Sequence, residues 1–363
     1  MSKTSFLKSK WFLLLLFLCT AVVLKLFSAD PLRVEQFYSR GLYPALSGGM
    51  RSMFGWLPFS IGDLLYLFAI IMLLAYLVRF LKRTREYGLR SAIRKINIFN
   101  LLLVLIGIYI YFNLAWGLNY DRLGIAYQLG LRPEQNDTAR LRRLAEKLRD
   151  RTNAHAHVRL SGFPDSYSRE RLQEGALAGY STLQQELPFL KYDPVSFKSS
   201  IFGELGNYIG YTGYYNPFSA EAQLNTTIPG FLKPFVACHE IAHQLGYAKE
   251  NEANFVGFLA ARRSGDTSFL YSAYFDMFLY ANAALYGSDS TAARRNLQTL
   301  APEVRRDLKT LRAFRDKYQS PVETLTDIFY DRFLRLNRQP AGTATYGQVV
   351  IWLLAYEEKW GDL

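Results

Sequence analysis

The chain has 363 residues, of which 50% are apolar and 15% aromatic, with a formal net charge of +12. This composition excludes a disordered chain, which would lack the apolar surface that offsets ordering entropy, and the two cysteines exclude a disulfide framework or a Cys₄ or Cys₂His₂ zinc site. Most of the positive charge, net +10, lies in residues 1–118 beside apolar segments, so it indicates membrane orientation and no nucleic-acid partner is expected.

Three apolar segments occur in the first third of the chain, at about 11–27, 57–80 and 98–118. Each is close to the ~20 residues that a helix needs to cross ~30 Å of hydrocarbon. Tryptophan and tyrosine flank the segments, as is typical of membrane interfaces. Residues 1–118 are therefore predicted to be a multi-pass membrane anchor of three transmembrane helices in the lipid bilayer.

The first segment also resembles a signal peptide, because Lys3, Lys8 and Lys10 precede it. Phe27, however, is bulky where a small residue is expected before a cleavage site. We therefore predict that the segment is retained as a helix.

Loop charges predict the orientation of the anchor. The loop at 81–97 carries six basic residues, Arg79 lies just before it, and the N-terminus carries three lysines. The loop at 28–56 carries three arginines that Asp30 and Glu35 partly offset. By the positive-inside rule, the N-terminus and the 81–97 loop are cytoplasmic. Three crossings of the cytoplasmic (inner) membrane would then place residues 119–363 outside the cytoplasm, in the periplasm.

Residues 119–363 have the pattern of an α-rich α+β domain. Helices are predicted at 137–151, where Asp137 is an N-cap candidate, and at 168–187. The glycine-rich stretch 196–229 favours short β-strands with turns. From Pro234 onward the pattern is helical to the C-terminus, with candidate breaks at Gly246, Gly265, Gly287 and Pro321.

One motif carries the chemistry: His239-Glu240-Ile241-Ala242-His243. Residues four apart share a helix face, so both imidazoles can reach one ion, and Glu240 can act as general base beside a metal-bound water. Zinc accepts imidazole and carboxylate ligands tetrahedrally and lowers the pKa of a bound water to near 7. The motif predicts one Zn²⁺ per chain and a zinc metallopeptidase of the zincin type.

A third protein ligand is required. The metzincin pattern would place a histidine at position 249, where this chain has Lys249. Glu250 and Asn254 resemble the gluzincin arrangement, in which a glutamate ligates zinc and an Asp or Asn four residues later orients a histidine. Glu252 is the alternative third ligand, and the sequence leaves the two glutamates open.

Other residues are weaker candidates. Tyr271 and Tyr274 could stabilise an oxyanion, but core aromatic residues are the simpler interpretation. His155 and His157 would share a face in a strand and could form a second metal site, but an exposed loop or strand pair is the simpler interpretation.

The strand-like stretch before the motif could bind substrate. Residues Glu221–Ile228 could form an edge strand that pairs with an extended peptide, with Tyr214, Tyr215 and Asn216 near the cleft. An ordinary core strand is the alternative.

Three blocks of sequence carry a resemblance to a known family: the N-terminal membrane helices, YTGYYNPFSAEAQLNTTIP with ACHEIAHQLGYAKENEANF, and VETLTDIFYDRFLRLN with TATYGQVVIWLLAYEE. On these blocks, nearly the whole chain resembles the bacterial family catalogued as domain of unknown function 3810. The resemblance implies a zincin metallopeptidase fold and a metal, with no known substrate. Relatives often have Arg-Glu-Asp-Glu where this chain has Lys249-Glu250-Asn251-Glu252, and both glutamates remain.

Two functions follow as hypotheses. The first is a membrane-anchored zinc metallopeptidase that acts on a peptide or protein substrate outside the cytoplasm. The alternative is a catalytically silent zinc-binding envelope scaffold or interaction protein. An intramembrane protease is disfavoured, because the motif at 239–243 lies far beyond the third apolar segment. The substrate and the oligomeric state are left open.

Overall fold

The computed structural model describes residues 3–94, 96–132, 137–159, 167–337, 339, 347–361 and 363. Lys95, used above for the topology, and residues 343–346 of the C-terminal block lie outside these ranges. Within them the α-helices are, in chain order, α1 (Lys3–Ser28), α2 (Pro31–Arg33), α3 (Tyr43–Phe54), α4 (Ile61–Tyr87), α5 (Leu89–Arg94), α6 (Ile98–Ala115), α7 (Gly124–Leu129), α8 (Thr138–His155), α9 (Arg169–Glu186), α10 (Gly203–Tyr208), α11 (Lys233–Gln244), α12 (Glu250–Ala261), α13 (Thr267–Ser288), α14 (Ser290–Gln298), α15 (Pro302–Tyr318), α16 (Pro321–Leu336) and α17 (Val349–Trp360).

Three of these helices, α1, α4 and α6, are long and apolar enough to cross a membrane, and little of their apolar surface is buried within the chain. The second begins later than predicted, at Ile61, because Ser60 caps it by accepting a hydrogen bond from the Asp63 amide at 2.8 Å. The third ends at Ala115, where a 3₁₀ turn follows. The predicted apolar segments are thus confirmed as helices with different bounds: α1 and α4 are longer than predicted, and α6 is shorter.

The segment between α1 and α4 is not a simple loop. It is helical over α2, a π-helical stretch at Val34–Leu42, and α3. The Tyr43 hydroxyl donates to the Gln244 carbonyl at 2.9 Å, and the Lys198 ammonium donates to the Gly55 carbonyl at 2.7 Å. This membrane-proximal segment, residues 30–63, therefore packs against residues 119–363 in one folded unit.

The soluble part contains the helices predicted at 137–151 and 168–187, as α8 and α9, and each has its N-cap at Asp137 or Ser168. The stretch predicted as strands contains β1 (Phe197–Ser199), β2 (Gly213–Asn216) and β3 (Glu221–Leu224). It also contains α10, which the glycine content led us to exclude.

The sheet has the strand order β1-β3-β2, with β1 parallel and β2 antiparallel to β3. Gln223 pairs with Lys198 on one side and with Tyr214 on the other. The prediction of an edge strand at Glu221–Ile228 is therefore wrong, because hydrogen bonds occupy both edges of β3. β2 is the edge strand next to the centre described below.

The core lies around α11 and α12. α11 packs against β2 and β3 on one side and against α9, α12 and α13 on the others. Every residue of α12 is buried. Burying a polar side chain is costly unless it has a partner. The buried polar residues of these two helices are therefore candidates for a functional site.

Candidate metal centre

The two histidines of the motif lie on α11 and face the start of α12. Their ring centroids are 4.7 Å apart, as expected for residues one helical turn apart. After α11 the chain reverses at Gly246, whose φ of +86° strains any residue with a side chain. A Cβ there would also lie 2.9 Å from the Tyr43 ring, so this turn requires glycine. The reversal returns Glu250, the first residue of α12, to the imidazoles.

Two distances within the cluster agree with those in the ligand shell of a tetrahedral metal. Glu250 Oε2 lies 3.3 Å from His239 Nε2 and 3.5 Å from His243 Nε2. Zinc bonds of about 2.0–2.1 Å give a tetrahedral edge of about 3.3–3.4 Å between ligand atoms. One ligand atom from each of the three side chains lies within 4.8 Å of the others, so this buried group could hold a metal ion.

Glu252, the alternative third ligand, faces elsewhere. Its Oε1 lies 3.7 Å from Lys249 Nζ, and a Cβ on Gly124 would lie 2.0 Å from the same oxygen. Residues two apart on a helix point about 200° apart, so Glu250 and Glu252 cannot reach the same ion. The structure brings Glu250 to the histidines and turns Glu252 away from them.

Neighbouring groups orient the ligands. His243 Nδ1 lies 2.7 Å from the Tyr247 carbonyl, which can only accept, so this contact makes Nδ1 the donor and directs Nε2 to the metal position. Asn254 lies beside His239, and its side chain helps to raise the pKa of that imidazole against the larger lowering by burial. The placement of Asn254 agrees with the orienting role inferred from the gluzincin resemblance.

A tyrosine that the sequence reasoning missed completes the shell. The Tyr330 hydroxyl on α16 donates to Glu250 Oε1 at 2.6 Å, which leaves Oε2 for the histidines. Tyr280 on α13 lies close to Asn254, whose side chain acts to lower the pKa of the tyrosine against the larger rise caused by burial. The only signal for Tyr330 in the sequence was its place in the block VETLTDIFYDRFLRLN.

The electrostatics of the cluster are those of a buried ion pair. Burial favours the neutral carboxyl of Glu250, but the charge of His243 and hydrogen bonds from both histidines hold its pKa well below the usual range. Burial lowers the pKa of His243, and the Glu250 charge outweighs this and raises it to about 9. A metal requires neutral imidazole, so metal binding here releases a proton.

Glu240 lies between the cluster and the sheet. Burial raises the pKa of its carboxyl to about 8. A Cβ on Gly213 of β2 would lie 2.6 Å from Glu240 Oε1, so the carboxylate rests directly against the edge strand. Its Oε2 has no hydrogen-bond partner among the described residues. A buried carboxylate with an unpaired oxygen has capacity for one more donor.

The two tyrosines proposed as oxyanion donors are committed to other partners. The Tyr271 hydroxyl donates to Asp307 Oδ2 at 2.7 Å, and the Tyr274 hydroxyl donates to the Leu363 carbonyl at 3.2 Å. Neither partner belongs to the His239–His243–Glu250 cluster. Both tyrosines are buried in the core, so the core interpretation of these residues replaces the catalytic one.

His155 and His157 do not form a second metal site in the part of the chain that the structure describes. The His155 ring stacks on Tyr274 at 5.7 Å between centroids, and His157 Nδ1 lies 3.0 Å from the Ala154 carbonyl. Within the described ranges, the metal-binding group found is the one at His239, His243 and Glu250.

The residues expected near the cleft lie on β2. Tyr214 hydrogen bonds to Asp63 at the start of α4, and the Tyr215 hydroxyl lies 3.3 Å from that of Tyr43. Asn216 ends the strand. These side chains connect the edge strand to the membrane-proximal segment.

A family model described as "Protein of unknown function (DUF3810)" matches residues 38–354. The chain belongs to this family. The family match begins in the membrane-proximal segment and includes the metal cluster and α16, so the family unit crosses the division between anchor and soluble domain. No curated protein and no solved structure matches the chain.

Proposed function

We propose that this member of the DUF3810 family is a membrane-anchored, zinc-dependent metallopeptidase that hydrolyses peptide bonds outside the cytoplasm. The observation that carries the proposal is the buried His239–His243–Glu250 cluster, whose carboxylate-to-imidazole distances of 3.3 and 3.5 Å match tetrahedral edges. The general base of the motif, Glu240, lies beside this cluster.

Zinc is the metal that suits this donor set. Two imidazole nitrogens and one carboxylate oxygen are typical of catalytic zinc, which keeps its fourth position for water or substrate. Zinc held by these side chains would polarise a carbonyl group and acidify a water.

The chain's own residues supply the rest. Ionised Glu240 would accept the proton of the attacking water at Oε2. Strand β2 lies against Glu240 and is an edge strand of the described sheet, so we expect its other edge to pair with the main chain of an extended peptide. Backbone pairing of this kind tolerates many substrate sequences.

The packing of the membrane-proximal segment supports the proposed orientation. Residues 30–63 and 119–363 must lie on the same side of the membrane to form one folded unit, and three crossings place them so. The basic loop between α4 and α6 would face the cytoplasm and the cluster the periplasm. A reporter fused after Gly88 should read cytoplasmic and one fused at Leu363 extracytoplasmic. A cytoplasmic reading at Leu363 would contradict the orientation.

The experiment that tests catalysis uses the full-length protein in detergent. We expect about one zinc per chain and hydrolysis of a peptide library. Glu240→Gln keeps the size of the side chain and removes its basicity, so zinc content should be retained while hydrolysis falls by roughly 10²–10⁴-fold. Glu146→Gln, on the exposed face of α8, is the matched control. Full turnover by Glu240→Gln would overturn the mechanism.

One observation favours a second candidate, a zinc-bearing but catalytically silent scaffold. Glu250 and His243 are both buried, and a buried site is less accessible to a large substrate. This scaffold would contain zinc, hydrolyse no peptide, and lose stability when the metal is removed. The zinc and turnover measurements on the intact protein separate the two candidates.

A further inference from the structure

Helix α16 exposes an unusually apolar side. Val322, Leu325, Phe329 and Leu336 lie along one side of the helix at helical spacing, and the exposed fractions of Phe329 and Leu336 are 68% and 83%. Large apolar residues clustered in this way mark an interaction surface. We call these four residues the apolar stripe of α16.

The adjacent side of α16 faces the metal centre. Tyr330 binds Glu250 on this side, and Leu334 is fully buried. A third side is polar and carries Thr324, Asp327 and Asp331. The helix therefore has an inner side that contacts the metal centre, a polar side for water, and an apolar stripe that the described residues leave exposed.

α16 contacts the end of α6 directly and is connected to the start of α4 through α10. The Phe333 ring packs edge-on against Phe112 in the last turn of α6, with centroids 6.3 Å apart. At the other end, the Ser320 hydroxyl donates to the Tyr208 carbonyl of α10 at 3.0 Å. α10 follows Ile201, whose amide donates to Asp63 Oδ2 in the first turn of α4 at 2.7 Å.

The start of α4 and the end of α6 lie at the same face of the membrane in a three-crossing anchor. A helix that joins these two points lies along that face. The link through α10 also exposes apolar side chains, since Ile201 and Leu205 are both more than half exposed. Arg332 lies beside the apolar stripe, where its guanidinium group can reach an anionic phosphate while the apolar side chains enter the acyl region. Arg335 lies nearer the polar side, where it pairs with Asp331 at 2.6 Å.

We propose that α16 lies in the bilayer interface, with its apolar stripe inserted among phospholipids. The occupant of the stripe is lipid of the outer leaflet. A helix is ~10 Å wide, so this arrangement places the metal centre about one helix width from the membrane surface. The proposal concerns where α16 lies, and it requires neither zinc nor peptidase activity.

The test places a polarity-sensitive fluorophore on α16 in the full-length protein, reconstituted at one copy per nanodisc of zwitterionic and anionic phospholipid. Cys19→Ser removes the exposed native thiol, and Cys238 is buried. Phe329→Cys labels the apolar stripe, and Asp327→Cys on the polar side is the matched control. Both positions are exposed, so neither label disturbs the core.

Nitroxide-bearing lipids should quench the label at position 329 several-fold more strongly than the label at position 327, and aqueous iodide should show the reverse order. Equal access of iodide to both positions would place α16 in water and overturn the proposal. Shielding of position 329 that appears only with several copies per vesicle would also overturn it, since the occupant would then be a second copy of the chain.

Discussion

Two glutamates on α12 lie two residues apart and are equally buried, with exposed fractions of 5% for Glu250 and 3% for Glu252. Their electrostatics are opposite. The pKa of Glu250 is held below its usual range because the charges and hydrogen bonds of two histidines outweigh its burial. The pKa of Glu252 is raised, because burial outweighs the attraction of Lys249 and Arg122.

This difference shows that the tertiary contacts of each carboxylate decide its role. Glu250 faces the metal centre. Glu252 faces a second buried group, the membrane-proximal charge cluster, which consists of Glu35, Arg122, Lys249 and Glu252. In it Arg122 donates two hydrogen bonds to Glu35, each of 2.9 Å.

The two regions are connected through the turn between α11 and α12. Arg122 donates to the Gly246 carbonyl at 3.1 Å, and its guanidinium stacks on the Tyr247 ring. The carbonyl of Tyr247 in turn orients His243. The charge cluster therefore supports the metal centre from the membrane side, and the experiments below test this division of roles.

The largest effect is expected at Arg122. Arg122→Met leaves the buried Glu35 carboxylate without its partner and should destabilise the folded unit by about 3–5 kcal/mol. For a domain of this size that corresponds to a Tm lowered by roughly 10 °C. Thermal unfolding of the full-length protein measures it.

The control for this prediction is Arg142→Ala, which removes one half of an exposed pair with Glu146 and should change stability by no more than about 0.5 kcal/mol. The double variant Glu35→Gln/Arg122→Met should recover much of the lost Tm, since it removes the unpaired charge. Equal unfolding temperatures for Arg122→Met and Arg142→Ala would show that the charge cluster is not a structural support.

The variants Glu250→Gln and Glu252→Gln test directly whether the two glutamates have different roles in zinc binding. Glu250→Gln removes a ligand carboxylate and should weaken zinc affinity by about 100-fold. This is at least as large as the loss caused by removing a residue that only hydrogen bonds to a metal ligand. Glu252→Gln should leave zinc affinity unchanged, because this residue faces the charge cluster. Competition with a chelator measures both variants. Equal zinc affinity in the two would refute the assignment of the third ligand.

Tyr330→Phe removes the hydroxyl that holds Glu250 and should reduce zinc affinity by about 10-fold, as for other outer partners of metal ligands. Tyr208→Phe is the control, because Tyr208 is half-exposed on α10 and hydrogen bonds to α16 through its backbone carbonyl. An unchanged zinc affinity in Tyr330→Phe would mean that Glu250 is positioned by α12 alone.

The smallest effect on chemistry is expected at Tyr271. Tyr271→Phe removes a buried hydrogen bond to Asp307 and should cost about 1–3 kcal/mol of stability, while peptide turnover per folded molecule stays at the wild-type level. Turnover normalised to zinc content separates the two quantities. A loss of normalised turnover would restore Tyr271 as a candidate oxyanion donor.

Much of the architecture was predictable because it depends on local pattern. Apolar runs of about 20 residues identified the three long apolar helices, and helical patterns, with an N-cap candidate at Asp137, identified α8 and α9. The spacing of His239 and His243 identified α11 as the helix of the candidate metal centre for the same reason. Residues one helical turn apart lie side by side without any tertiary contact.

Contacts between distant segments could not be predicted in this way. The choice of Glu250 over Glu252 depends on how α12 is rotated against α11, and the contribution of Tyr330 depends on where α16 packs, 80 residues further along the chain. The central position of β3 and the integration of residues 30–63 are also matters of packing. The sequence by itself determined the three long apolar helices, α8 and α9, and the placement of His239 and His243 on one helix face, because these follow from short-range periodicity. Only the tertiary structure decided which carboxylate and which tyrosine meet the histidines, because burial selects among faces that are equivalent in an isolated helix.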